Sequence, residues 1–110
     1  MKIPVAFYRT GEGNEPAREF LKSLSRDDRR EIGADLHTLQ SDWPIGMPLV
    51  RSLGKGLWEL RSALDGRIAR MLFCFHERQI VVLHGFIKKS QSTPQAELSL
   101  ALKRMKEVRR

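Results

Sequence analysis

The stretch Gly54-Lys55-Gly56-Leu57-Trp58-Glu59-Leu60-Arg61, continuing to Gly85-Phe86-Ile87-Lys88-Lys89-Ser90, decides how this chain is read. Between its two ends lie three runs of β-branched, aromatic and aliphatic residues, at about Gly56–Ser62, Arg67–Phe75 and Gln79–Phe86. Leu64-Asp65-Gly66 and His76-Glu77-Arg78 separate them with tight-turn chemistry, so the three runs predict an antiparallel meander. Cations recur among the apolar residues, and the run ends in Lys88-Lys89 just before Thr93-Pro94. Basic side chains placed repeatedly on a small sheet point to a surface that grips a polyphosphate, most simply RNA.

Upstream, Lys2 to Tyr8 reads as a strand ended by the Thr10-Gly11-Glu12-Gly13-Asn14 turn, with Asn14 as the cap of a short helix. Ala17, Phe20, Leu21 and Leu24 fall on one helical stripe. Ser25 followed by Asp28 resembles a capping box and opens a second helix to about Asp42, with Ile32, Leu36 and Leu39 as its buried face. Gly33 lowers the helix propensity there, which suggests close packing. Pro44 and Pro48 make residues 43–48 a connector. Downstream, Thr93 and Pro94 start a last helix, Thr93 as its cap. Its stripe is Leu98, Ala101, Leu102, Met105 and Val108, and its other faces are basic. The order β-α-α-β-β-β-α predicts an α+β domain, a mostly antiparallel sheet with the helix hairpin on one face. Residues 1–110 are expected to form one domain, since 110 residues support a single modest core.

Net charge is +7 and unevenly spread. Residues 1–50 hold seven Lys/Arg against eight Asp/Glu; residues 51–110 hold thirteen against five. Such segregation marks a polyanion-facing side and a neutral scaffold side. No apolar run approaches the ~20 residues that cross a bilayer. The N-terminus lacks signal-peptide patterning, and Cys74 is alone, so a cytoplasmic location is expected. His37, His76, His84 and Cys74 do not have metal-ligand spacing, so neither a metal nor another cofactor is expected.

Period-two alternation sorts the cations. Trp58 and Leu60 would share one face with Ala69, Met71, Phe73, Phe75, Val81, Leu83 and Gly85, covered by the first two helices. Leu57, Glu59, Arg61, Ile68, Arg70, Leu72, Cys74, Ile80, Val82, His84 and Phe86 would share the other. Arg61, Arg70, His84 and Phe86 then form a cationic cluster with an aromatic floor, with Lys88 just past its edge. Cleaving RNA through its own 2′-hydroxyl requires deprotonation, in-line geometry and stabilisation of the phosphorane. Arg suits the last task. Lys serves as a phosphate clamp or a base, and His84 as an acid–base group. Phe86 is placed to stack a base. Each has a plainer structural reading: Arg61 paired with Glu59, His84 as a hydrogen-bonded core residue, Lys88 and Lys89 as a solvated loop pair, Lys55 as an ordinary turn residue. Cys74 reads as core filler.

The chain resembles the RelE/ParE toxin superfamily, and within it the HigB-like, phage-derived toxins. The resemblance rests on Val5-Ala6-Phe7-Tyr8, Pro16-Ala17-Arg18-Glu19-Phe20-Leu21, Gly56-Leu57-Trp58-Glu59-Leu60-Arg61 and Ile68-Ala69-Arg70-Met71-Leu72-Phe73. Its sharpest piece runs from Leu83-His84-Gly85-Phe86 through Lys88-Lys89-Ser90 to Thr93-Pro94, followed by a helix with Glu97 and Ala101. It implies a toxin of a type II toxin–antitoxin pair that cleaves mRNA on the ribosome without a metal. The implied partner is a helix-turn-helix antitoxin, through which alone operator DNA would be bound. The catalytic residues it implies are Arg61, Arg70, Lys88 and Lys55; Arg67, His84, Phe86 and Lys89 are the expected substrate-binding residues. The only Tyr is Tyr8, so no C-terminal Tyr is present for proton transfer, which shifts that role to Lys55, Lys88 or His84. Arg70→Ala is then expected to abolish toxicity and leave the fold intact. The competing readings are a ParE-like toxin that inhibits DNA gyrase without catalysis, and a plain nucleic-acid-binding module.

Overall fold

The computed structural model describes residues 2–88 and 93–110, with Lys88 described by its backbone alone. The elements run β1 (Val5–Phe7), α1 (Pro16–Lys22), α2 (Arg26–Asp42), β2 (Val50–Gly54), β3 (Leu57–Leu64), β4 (Arg67–His76), β5 (Gln79–Lys88) and α3 (Gln95–Val108). The sheet order is β1-β5-β4-β3-β2, with β1 parallel to β5 and every other pair antiparallel. This is the expected α+β architecture with one more strand. The additional strand is β2, which pairs Val50 with Leu60 and Arg51 with Glu59. Its short length, its edge position and the prolines just before it hide it from pattern reading. The first strand is shorter than Lys2–Tyr8.

The meander turns use left-handed backbone. Gly54, Lys55 and Gly56 all have positive φ, as do Glu77 and Arg78. Two central residues with φ > 0 match the right-handed twist of the flanking strands at the β4–β5 turn. The Ser25 Oγ accepts from the Asp28 N–H at 3.2 Å and caps α2 as expected. Two other caps differ. Glu15, not Asn14, occupies the N-cap of α1, and Asn14 instead closes the preceding turn by donating its backbone N–H to Thr10 Oγ1. Pro94 is the N-cap of α3, because the Thr93 hydroxyl is committed to a side chain on the sheet.

Each face of the sheet carries its own core. On one, α1 packs over β5 and α2 over β3, burying Ala17, Ile32, Leu39, Leu60, Met71, Phe73, Ile80 and Val82. Trp43, Trp58, Phe73 and Phe75 interlock there, with ring centroids 4.7–6.4 Å apart. Gly85 lies under α1: a Cβ there would sit 2.6 Å from Phe20 Cδ2 and 2.8 Å from Met71 Sδ, so only glycine admits the helix at this height. Gly33 is different. A Cβ at Gly33 would meet nothing within 4 Å, so the close packing expected there is absent.

The other face is covered by α3, whose Ala101 and Met105 pack with Leu57, Leu72, Cys74, Val81, Leu83 and Phe86. The alternation therefore fails on part of β5. Val81 and Leu83 lie under α3, whereas Ile80 and Val82 lie under the helix hairpin, the reverse of the expectation. The cause is a β-bulge: Leu72 pairs with His84 and Phe73 with Val82, which leaves Leu83 as the extra residue. Leu83 and His84 consequently point to the same side. Gly85 and Phe86, beyond the bulge, keep their expected faces. Arg104 Nη1 of α3 donates to the Leu83 carbonyl at 2.9 Å, satisfying an acceptor at the irregular pairing. Among the described residues, no helix is long and apolar enough to cross a membrane.

Candidate functional site

The face under α3 is apolar at one end and ionic at the other. Three adjacent strands deliver the ionic part. Arg51 on β2 stands opposite Glu59 on β3, and Arg61 on β3 stands opposite Arg70 on β4. Like charges directly opposite each other on a sheet repel, so the Arg61–Arg70 pair requires a counter-charge nearby. Glu59 supplies it. One Glu59 oxygen lies 3.0 Å from Arg51 Nη2 and 3.6 Å from Arg61 Nε; the other lies 3.4 Å from Arg70 Nη1. The Thr93 hydroxyl, at the entrance to α3, donates to that second oxygen at 2.7 Å. Arg51 Nη2 in turn donates to Thr93 Oγ1 at 3.2 Å.

Burial divides this cluster in two. The Glu59 and Arg70 side chains are fully buried, Arg61 is 11% exposed and Arg51 32%. A charge taken wholly out of water is tolerated when paired and hydrogen-bonded. Glu59 is hydrogen-bonded through Oε2 by Thr93 and Arg70 and ion-paired through Oε1 with Arg51 and Arg61, Oε1 making no hydrogen bond among the described residues. Arg51 and Arg61 form the rim and are the guanidinium groups within reach of an incoming ligand. Three cations surround one carboxylate, so the site carries an excess of positive charge that an anion would offset.

The remaining expected site residues divide by position. Lys88 ends β5 with its backbone paired to Ile68, two residues along from Arg70, so it belongs to the same end of the sheet. Its side chain, and the whole of Lys89, lie outside the described residues. Lys55 lies in the β2–β3 turn, six residues before Arg61, about 20 Å away along an extended strand. The structure does not bring it to the cluster. Arg67 points to the helix-hairpin face, where its Nη2 meets Asp28 of α2 at 3.0 Å. It ties a turn to a helix rather than lining the cluster.

His84 and Phe86 share the face of Arg70 but are covered. The Phe86 ring is in the α3 core at 9% exposure, stacked 5.5 Å from the His84 ring. His84 Nε2 lies 3.3 Å from Glu97 and Nδ1 lies 3.4 Å from Arg104 Nη1, both on α3. Its plainer reading, a hydrogen-bonded core histidine, fits Nδ1; the buried Nε2 lies near Glu97 and makes no hydrogen bond among the described residues. Cys74 is fully buried, and that burial pushes its thiol above the ordinary range while the nearby Arg109 pulls it partly back. It is core filler. Tyr8 donates to Glu107 at 2.6 Å, and this hydrogen bond, with burial and the Glu107 charge, raises its phenol above the usual value. Among the described residues no group of three or more His, Cys, Asp or Glu is arranged to hold a metal ion.

Sequence reasoning missed Arg51 and Thr93 and saw Glu59 only as a partner for Arg61. Arg51 was hidden with its strand, although Val50-Arg51-Ser52-Leu53 alternates. A glutamate between Trp58 and Leu60 on a predicted strand of the cationic face was the available signal for a buried hub.

The family model described as phage derived protein Gp49-like (DUF891) matches residues 19–106, which takes in α2, β2 to β5 and most of α3. The chain belongs to this family. The Gp49-like family is of the RelE/HigB toxin type and is associated with toxin–antitoxin pairs, which implies an antitoxin partner. No curated protein matches the chain. The matched span contains Arg51, Glu59, Arg61, Arg70 and Thr93, so the ionic cluster lies entirely within the part that carries the family pattern.

Proposed function

We propose that this Gp49-like chain is the toxin of a type II toxin–antitoxin pair and acts as a metal-independent endoribonuclease on mRNA held by the ribosome. The observation that supports it is the excess of guanidinium groups around Glu59, with Arg51 and Arg61 at the rim. In this reading Arg61 and Arg51 grip the oxygens of the scissile phosphate. The substrate's 2′-oxygen attacks phosphorus as its proton leaves to a base. The P–O5′ bond then breaks, the 5′-oxygen takes up a proton, and a 2′,3′-cyclic phosphate remains. Developing charge on the phosphorane is offset by the arginine pair. Arg70 acts as a positioning residue: fully buried against Glu59, it holds the carboxylate that sets the angle of Arg61 and Arg51. The antitoxin, in this reading, blocks access to that rim.

The test is induced expression of the wild-type chain and Arg61→Ala with 5′-end mapping of cellular mRNA. New cuts inside translated codons are expected for the wild type, reduced about 100-fold in the variant. Soluble yield should be unchanged, since Glu59 keeps its fully buried partner Arg70 and its contact with Arg51. Growth arrest with intact mRNA would defeat the nuclease reading and favour a topoisomerase target. The engagement of both Arg61 and Arg70 with Glu59 is the feature that keeps that second reading in play, because it diverts part of their charge from a phosphate.

A further inference from the structure

β2 pairs with β3 only as far as Val50–Leu60, whereas β3 continues to Leu64. Beyond that point no strand among the described residues pairs with this edge of β3; the chain leading into β2 crosses it, with Arg61 N–H donating to the Leu49 carbonyl at 2.7 Å. The result is a cleft of about 310 Å³, lined by Asp35, Pro48, Leu49, Arg61, Ala63 and Ile68. Its walls are mainly apolar, yet it opens directly beside the rim of the ionic cluster through Arg61. The buried Arg61 Nε makes no hydrogen bond within the described residues, although it lies 3.6 Å from Glu59. Since Arg61 N–H faces β2, alternation along the strand turns the Ala63 backbone N–H and C=O the same way, toward that edge.

We infer that this cleft is a nucleobase subsite, taking the base adjacent to the phosphate held by Arg51 and Arg61, with a preference for bases that carry an exocyclic amino group. The inference rests on the ribonuclease reading above. An apolar slot with a guanidinium plane in one wall is the environment in which an unpaired base stacks. Asp35 is the one side chain in the lining that only accepts hydrogen bonds when ionised; it can accept from the amino group of adenine, cytosine or guanine, whereas uracil offers only its N3–H, flanked by two carbonyls that repel a carboxylate. The cleft thus supplies what the ionic cluster lacks. Arginines on phosphate fix position along the backbone without reading sequence; a walled pocket with one acceptor discriminates.

The experiment compares cut sites in cellular mRNA for the wild type, Ala63→Phe and Asp35→Asn. Ala63 is exposed at the sheet edge, so a ring there fills the cleft without disturbing a core. Asp35→Asn keeps size and adds a donor. For the wild type, uracil should be depleted at one nucleotide beside the cut. Ala63→Phe should lower cutting at least 10-fold, and Asp35→Asn should relax the uracil depletion with cutting otherwise retained. Unchanged cutting frequency and unchanged base bias in both variants would overturn the subsite while leaving the nuclease reading standing. Unchanged cutting with lost neutralisation by the antitoxin would also overturn it, assigning the cleft to a protein partner. Absence of cuts from the wild type would overturn both readings together.

Discussion

The two faces of the sheet solve different problems with the same strands. Under the helix hairpin, burial is almost wholly apolar, Ser62 being the exception, and shape-limited: four interlocked aromatic rings, and a glycine where a helix presses closest. Under α3, half the face is packed with Leu57, Leu72, Val81 and Leu83, and the other half holds a fully buried carboxylate with three arginines. The first face stabilises through area, at roughly 1.5–3 kcal/mol for each large apolar side chain removed from water. The second spends part of that on charges whose desolvation is costly and whose mutual attraction only roughly compensates. A chain selected for stability alone would have continued the leucines. Polar groups under α3 are therefore the part of the molecule whose presence calls for a reason other than folding.

The comparison predicts its own failures. The largest effect is expected at the buried pair: Arg70→Met should destabilise by about 3–5 kcal/mol, because it strips Glu59 of a partner inside the protein. The expectation that Arg70→Ala spares the fold is corrected on this ground. Glu59→Leu combined with Arg70→Met should recover much of that stability in a urea titration and still show no cutting, since Arg61 and Arg51 lose their anchor. A double variant no more stable than the single one would mean that the pair is structural in its own right. Next comes the apolar face. Gly85→Ala should cost about 1–3 kcal/mol through overpacking against Phe20 and Met71, read as a lower midpoint in the same titration; an unchanged midpoint would show that α1 yields freely. The smallest effect is at the outer side of α2, where Gly33→Ala should raise stability by up to about 1 kcal/mol, having open space and an ordinary helical backbone. A loss there would place a contact at Gly33 that the structure does not show.

The apolar face was the more legible in sequence. Ala17, Ile32 and Leu39 announce themselves by helical spacing, and Met71, Phe73 and Leu60 by alternation, since each rule needs only neighbours within one element. The cluster was legible in its membership and not in its state. Arg61 and Arg70 were found because a cation inside an apolar strand is conspicuous, yet their neutralisation depends on Glu59, on a strand concealed behind two prolines, and on a threonine thirty-four residues away. His84 and Phe86 were placed on the correct face, but their cover by α3 is a tertiary fact that no local period encodes. Lys55 enters the expected site through the family resemblance and Arg67 as an expected substrate-binding residue, and distance along the strand and side-chain direction separate them from the cluster.

The extra residue at Leu83 has a consequence for how this chain tolerates change in length. Strand β5 is in one phase before that point and in the opposite phase after it, and both halves are buried on two sides. Removing a single residue from the bulge would restore regular pairing, but it would also turn one half of the strand over. Either Ile80 and Val82 would exchange places with Val81, or His84 and Phe86 would be driven under the helix hairpin while Gly85 left the space beneath Phe20. Conservative substitutions along β5 are thus gentler than any one-codon deletion within it, and the number of residues between Gln79 and Lys88 constrains the molecule more tightly than their identities do.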